Sequence, residues 1–173
     1  MKVFINSVSK IYGENPDGSI DKNRCHESFI NGQFTNEFEI DIWDPNCKIP
    51  ENYKGKNLDL LITISQLLYE KEYQSFKKGS NEIRSIFMDP LHVEGTFILN
   101  YKIPVKWQKF SFSLDDLETF PAIETKYGIF PIYPYALRKK YNRKKRKYKI
   151  KEGERISFYI KRFNLDGWYF IEE

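Results

Sequence analysis

The chain has 173 residues, 40% of them hydrophobic and 17% aromatic, with 28 Lys and Arg against 24 Asp and Glu for a net charge of +4. That length buries a core without disulfide staples, and the wealth of Phe and Tyr excludes a disordered chain. No stretch reaches the eighteen or more apolar residues of a membrane span, and the broken apolar pattern of "MKVFINSVSKIYG" excludes a signal-peptide core. Cys25 and Cys47 are too few for a disulfide framework and have no close-spaced partners. A reducing, cytoplasmic setting is the default expectation.

Strand signals lead along the chain. "KVFINSVSKIY" (Lys2 to Tyr12) alternates and reads as a first strand, and "GENPDGSIDKN" as a loop rich in turn formers. "FTNEFEIDIW" predicts one half-buried strand with Phe34, Phe38, Ile40 and Ile42 inward and the acidic Glu37, Glu39 and Asp41 outward. "LDLLITIS" (Leu58 to Ser65) predicts a more buried strand. In "QLLYEKEYQSFKK" the spacing of Tyr69, Tyr73 and Phe76 predicts a helix that Gly79 stops, with a further helical turn in "NEIRSIFM".

"GTFILNYKIPVKW" has strand composition, and Pro104 interrupts its ladder. "SLDD" has the form of a capping box led by Ser113, and "AIETKYGIFPIY" reads as one more strand. "GERISFYIKRF" and "GWYFIEE" flank "NLDG" as a C-terminal β-hairpin with Ile156, Phe158 and Ile160 toward the core. No linker divides the chain, so residues 1–173 are expected to form a single domain. Fold class is therefore mainly β: a small closed or partly open β-barrel with one covering helix and the closing hairpin. The OB-fold barrel has this order, and "KEGERISFYI" is similar to the final-strand entry of many such barrels.

The charge is unevenly placed. Ten of the 28 basic residues lie between Arg138 and Lys151, where no acid occurs, leaving 18 basic against 24 acidic residues elsewhere, a balance of −6. A cationic segment at 136–151 on an acidic body points to a polyanionic partner. Arg138, Lys139, Lys140, Arg143, Lys144, Lys145, Arg146 and Lys147 are expected to contact phosphates, with arginine able to do so bidentately. Tyr135, Tyr141 and Tyr148 interleave the charges, and rings of this kind stack on unpaired bases. Lys161 and Arg162 on the last hairpin would extend the groove. Like charges repel along every turn of the run, so it is expected to be a mobile extension or long loop that orders on its partner.

The expected function is thus non-enzymatic binding of nucleic acid, DNA or RNA, without membrane insertion. The alternative is an interaction module, of inhibitor or immunity type, whose basic arm docks on an acidic protein. The arm's intramolecular rival partner is the acidic face of Glu37, Glu39 and Asp41.

Two weaker patterns carry other chemistry. Glu124-Thr125-Lys126 resembles the E-x-K element of metal-dependent PD-(D/E)xK nucleases. Alternation on a strand would put Glu124 and Lys126 on one face, and Asp115 or Asp116 would supply a second Mg²⁺ ligand. Cys25, His26, Cys47 and His92 are the only thiol or imidazole groups for a metal or a Cys-His nucleophile, and their spacing does not match structural zinc. The phosphate-loop, dinucleotide and zinc-protease motifs are absent from the sequence, and no cofactor is expected.

Overall fold

The computed structural model describes residues 1–35, 38–68, 91–108, 119–142 and 147–171. They form two compact units, Met1–Ile62 with Asn164–Glu173, and Thr63–Phe163. Two strands contribute to both: β4 (Asn57–Leu68) and β10 (Arg155–Phe170).

In the first unit β1 (Lys2–Glu14) and β2 (Ile20–Thr35) are antiparallel and joined through "NPDGS". The turn closes because the Asp17 carboxylate accepts from the Ser19 amide at 2.9 Å and its hydroxyl at 2.6 Å, while Gly18 takes a φ of 82° that a side chain would resist. β3 (Phe38–Asp44) pairs back along β2 from Thr35↔Phe38 to Ser28↔Asp44. The stretch expected as one strand through Phe34 and Phe38 is therefore the end of β2 and the whole of β3. Ile40 and Ile42 are buried as their alternation predicts.

The order β3-β2-β1-β4 is a Greek key, a fourth strand returning beside the first. β10 lies beside β4 and also pairs with β3, so five strands make a partial ring. Val3, Ile5, Ile30, Leu58, Leu60 and Ile62 join Ile40 and Ile42 in its core. Asp44 is fully buried, and its carboxylate accepts from Ser28 Oγ at 3.1 Å and the amides of Ile49 and Asn46 at 3.1 and 3.2 Å. Cys25 on β2 and Cys47 in the loop after β3 form a disulfide. The two sulfurs that seemed too few for a framework are a single cross-link.

In the second unit the sheet order is β10-β5-β6-β7, with β5 at Leu91–Tyr101, β6 at Phe120–Thr125 and β7 at Gly128–Pro131. The residues expected as one strand from Ala122 to Tyr133 fold as a hairpin about Lys126 and Tyr127. Gly95 permits β5 to close on β6: a Cβ there would stand 2.1 Å from the Glu124 carbonyl oxygen. Phe97, Phe120, Ile123, Phe130, Ile132 and Phe163 fill the core, with the Phe130 and Phe163 rings 4.9 Å apart.

The C-terminal hairpin does not form. β10 runs through "NLDG" without a turn. Phe163, Asn164 and Leu165 are successive buried residues, and a hairpin loop would put them in water. Long-range pairing outweighs a local turn signal at that point. Of the helical segment expected from Gln66, the first three residues continue β4, and the rest lies outside the described residues, as do "NEIRSIFM" and the "SLDD" cap. The described residues hold one α-helical turn, Val105–Gln108, which follows the end of β5 and Pro104.

Candidate nucleic-acid interface

The basic run belongs to the second unit and is held at both ends. Before it, the Ala136 amide donates to the Tyr133 carbonyl at 2.8 Å, opening a 3-10 turn over Pro134–Lys140. Tyr133, Ala136 and Leu137 are buried there. After it, Ile150 is buried between exposed Lys149 and Lys151. The chain then closes on β5: the Phe97 amide donates to the Glu154 carbonyl and the Gly153 amide to the Phe97 carbonyl, each at 2.9 Å. Apolar residues flanking the charges set these anchors, and Leu137 and Ile150 are the signal visible in sequence.

Between the anchors, β8 (Tyr141–Asn142) and β9 (Lys147–Tyr148) pair antiparallel, with Tyr141 opposite Tyr148 and Asn142 opposite Lys147. The described residues of the run thus form a turn and a short ribbon, where the sequence pointed to an extension or long loop. Arg138, Lys139 and Lys140 lie in the 3-10 turn; Arg143, Lys144, Lys145 and Arg146 lie outside the described residues. Tyr135 stays 59% exposed while stacking on Tyr133, ring centroids 5.3 Å apart, so one aromatic face beside the run is open to water. Lys161 and Arg162 are mid-strand in β10, where Arg162 is half-buried, instead of on a hairpin arm.

Of the acidic face, Asp41 is bonded within its own unit. Asp41 accepts from Asn31 Nδ2 at 3.0 Å, Asn31 accepts from Asn6 at 2.9 Å, and Trp43 Nε1 donates to Glu27 at 2.6 Å. Glu39 is exposed, and Glu37 lies outside the described residues.

The weaker patterns separate. Glu124 is exposed on β6, but Lys126 sits in the turn, its Nζ 4.8 Å from the Tyr127 ring, so strand alternation does not bring it beside Glu124. Asp115 and Asp116 lie outside the described residues. The disulfide removes both thiols from metal ligation and nucleophilic attack. His92 packs against Tyr159 at 5.1 Å, and among the described residues no group of three His, Cys, Asp or Glu side chains could hold a metal. No described helix is long and apolar enough to cross a membrane.

Comparison with protein families, with curated proteins and with solved structures yields no match to this chain.

Proposed function

We propose that the protein binds nucleic acid without chemical turnover, through sequence-independent contacts from the basic segment. Phosphates would be met by Arg138, Lys139, Lys140, Arg143, Lys144, Lys145, Arg146 and Lys147, with Tyr141 and Tyr148 as stacking rings. The observation that carries this reading is the anchoring of the run: ten cations without an acid begin next to buried Leu137 and end around buried Ile150. A solvated tail has no reason to be pinned at both ends. A ribbon that presents charge to a polyanion does, because ordering in advance lowers the entropic cost of binding.

Chain connectivity supports it. We read the five-strand partial ring as OB-like, since a Greek key closed by a fifth strand is the plan of that barrel. The OB barrel uses the connection between its fourth and fifth strands to bind oligonucleotides. Here that connection, from β4 to β10, carries the basic run. The expected result is a binding constant whose logarithm falls with log salt at a slope of roughly −4 to −7, for about five to eight engaged phosphates. A Lys144/Lys145/Arg146/Lys147 all-Ala variant lowers the magnitude of that slope by about three to four. A flat salt dependence, or one stoichiometric acidic protein captured unchanged after nuclease treatment, would favour the interaction-module reading instead.

The cytoplasmic setting remains part of the proposal, and it stands beside a disulfide of the kind that oxidising compartments preserve.

A further inference from the structure

The β1–β2 hairpin is irregular where it passes Gly13. Tyr12 pairs with Cys25 and the next residue, Gly13, with Asp21. Lys22, Asn23 and Arg24 are therefore an excursion of β2 with no opposite number on β1. The Asn23 amide donates to the Asp21 carboxylate at 3.0 Å, which starts the excursion as a tight local turn. Irregularities of this kind re-aim side chains. This one folds Arg24 back across β1.

A methyl group on Gly13 would stand 2.6 Å from Arg24 Nε, 3.1 Å from Arg24 Cζ and 3.1 Å from His26 Nε2. The guanidinium and the imidazole converge over the backbone of one residue, and a side chain there would make the guanidinium shift from this position. Gly13 is buried beneath, while Arg24 and His26 are exposed above it. Neither side chain has a hydrogen-bond or ion-pair partner among the described residues. Cys25 lies between them in sequence and is tied to Cys47, which restrains the backbone carrying both.

Covering Gly13 would account for Arg24 alone. It does not account for a second nitrogen donor at the same point, nor for a cation left there without a carboxylate. We infer that Arg24 and His26 form an oxyanion site for a phosphate group. The guanidinium offers parallel N–H donors that match two phosphate oxygens, and the imidazole offers an N–H from a second direction. Lys22, exposed in the same excursion, adds charge. The site lies wholly in the first unit and stands or falls apart from the basic segment. Its phosphate could be a free monoester or one link of a nucleic-acid strand, and the chemistry of capture is the same.

The test is side-chain ¹⁵N NMR of the full chain in chloride buffer, titrated with inorganic phosphate. Saturable shifts of Arg24 Nε–H and the His26 ring nitrogens are expected. Gly13→Ala keeps both groups and pushes the guanidinium aside; it is expected to weaken phosphate binding about tenfold or more. Arg24→Gln removes the response at His26. Unchanged amide shifts at Ile30 and Ile42 report that each variant is folded, and Arg24→Gln suffices alone if Gly13→Ala is not. No saturable shift in the wild type, or equal affinity in the wild type and Arg24→Gln, overturns the site. A parallel titration with a short oligothymidylate identifies the source. Shifts at Arg24 with both ligands mark a phosphodiester site, and shifts with inorganic phosphate alone mark a monoester site.

Discussion

Removing the Cys25–Cys47 cross-link is expected to destabilise the first unit by an amount that follows from its position. The bond closes a loop across a sequence separation of 22 residues. Loop-closure entropy for that length corresponds to about 3 kcal/mol at 25 °C. For a chain of this size each kcal/mol moves a thermal midpoint by roughly 2–4 °C, so the Cys25→Ser/Cys47→Ser variant should melt about 6–12 °C below the oxidised protein. Trp43, whose Nε1 bonds Glu27 two residues from Cys25, makes fluorescence a suitable probe. Thermal melts are run on both proteins with and without a reductant. Reductant should bring the wild type down to the variant and leave the variant unmoved. Coincident midpoints for the oxidised wild type and the variant would show that the bond does not restrain the unfolded chain, and the reasoning from loop length would fail.

Further outcomes follow from single positions. Leu165→Ala should cost about 2–5 kcal/mol in urea melts because Leu165 is 1% exposed within a continuous strand; a cost under about 0.5 kcal/mol, as for a surface loop, would contradict the course of β10. The Asp17 carboxyl is held below the ordinary value by the Ser19 hydroxyl and amide hydrogen bonds. Its contribution to the hairpin turn is therefore present above the unfolded carboxylate pKa and lost as pH falls through the lowered one, which the Ser19 amide shift reports; a normal titration point would contradict the turn geometry. If the protein resides in a reducing cytoplasm, alkylation of intact cells should label both Cys25 and Cys47. Protection of both would refute the cytoplasmic proposal.

Period-two alternation made most strands readable, because one buried face leaves its mark wherever a strand has a single partner layer. Ile40 and Ile42 are such a case, whereas the run from Leu58 to Ser65 was legible as a continuous apolar stretch and is buried at all but Asp59. What alternation does not carry is where a strand stops. Phe34 and Phe38 continue one pattern across the β2–β3 connection, and Ala122 to Tyr133 continue one across the Lys126–Tyr127 turn. The opposite error arose at "NLDG", where three good turn residues, Asn164, Asp166 and Gly167, are held straight because Leu165 among them is buried. β2 up to Ser28 carries no strand signal for a related reason: "DKNRCHES" (Asp21 to Ser28) is polar and contains the irregularity at Lys22–Arg24, so it lacks alternation.

The candidate sites divide in the same way. Charge density marks the basic run directly, since charge needs no fold to be counted. The pairing of Tyr141 with Tyr148 and the anchors at Leu137 and Ile150 depend on contacts that no spacing rule supplies. The approach of Arg24 and His26 over Gly13 was hidden altogether, because it is produced by residues without a partner on β1, Lys22 to Arg24 and His26.

The central claim is that the segment from Arg138 to Lys151 grips a polyanion. Its most direct measurement is the affinity for a single-stranded oligonucleotide across a salt series, for the wild type and the Lys144/Lys145/Arg146/Lys147 all-Ala variant. For about five to eight phosphates of a single strand the account predicts a log–log slope of roughly −3.5 to −5.5, whose magnitude drops by about three in the variant. A wild-type slope near zero, or identical slopes for the two proteins, would contradict it.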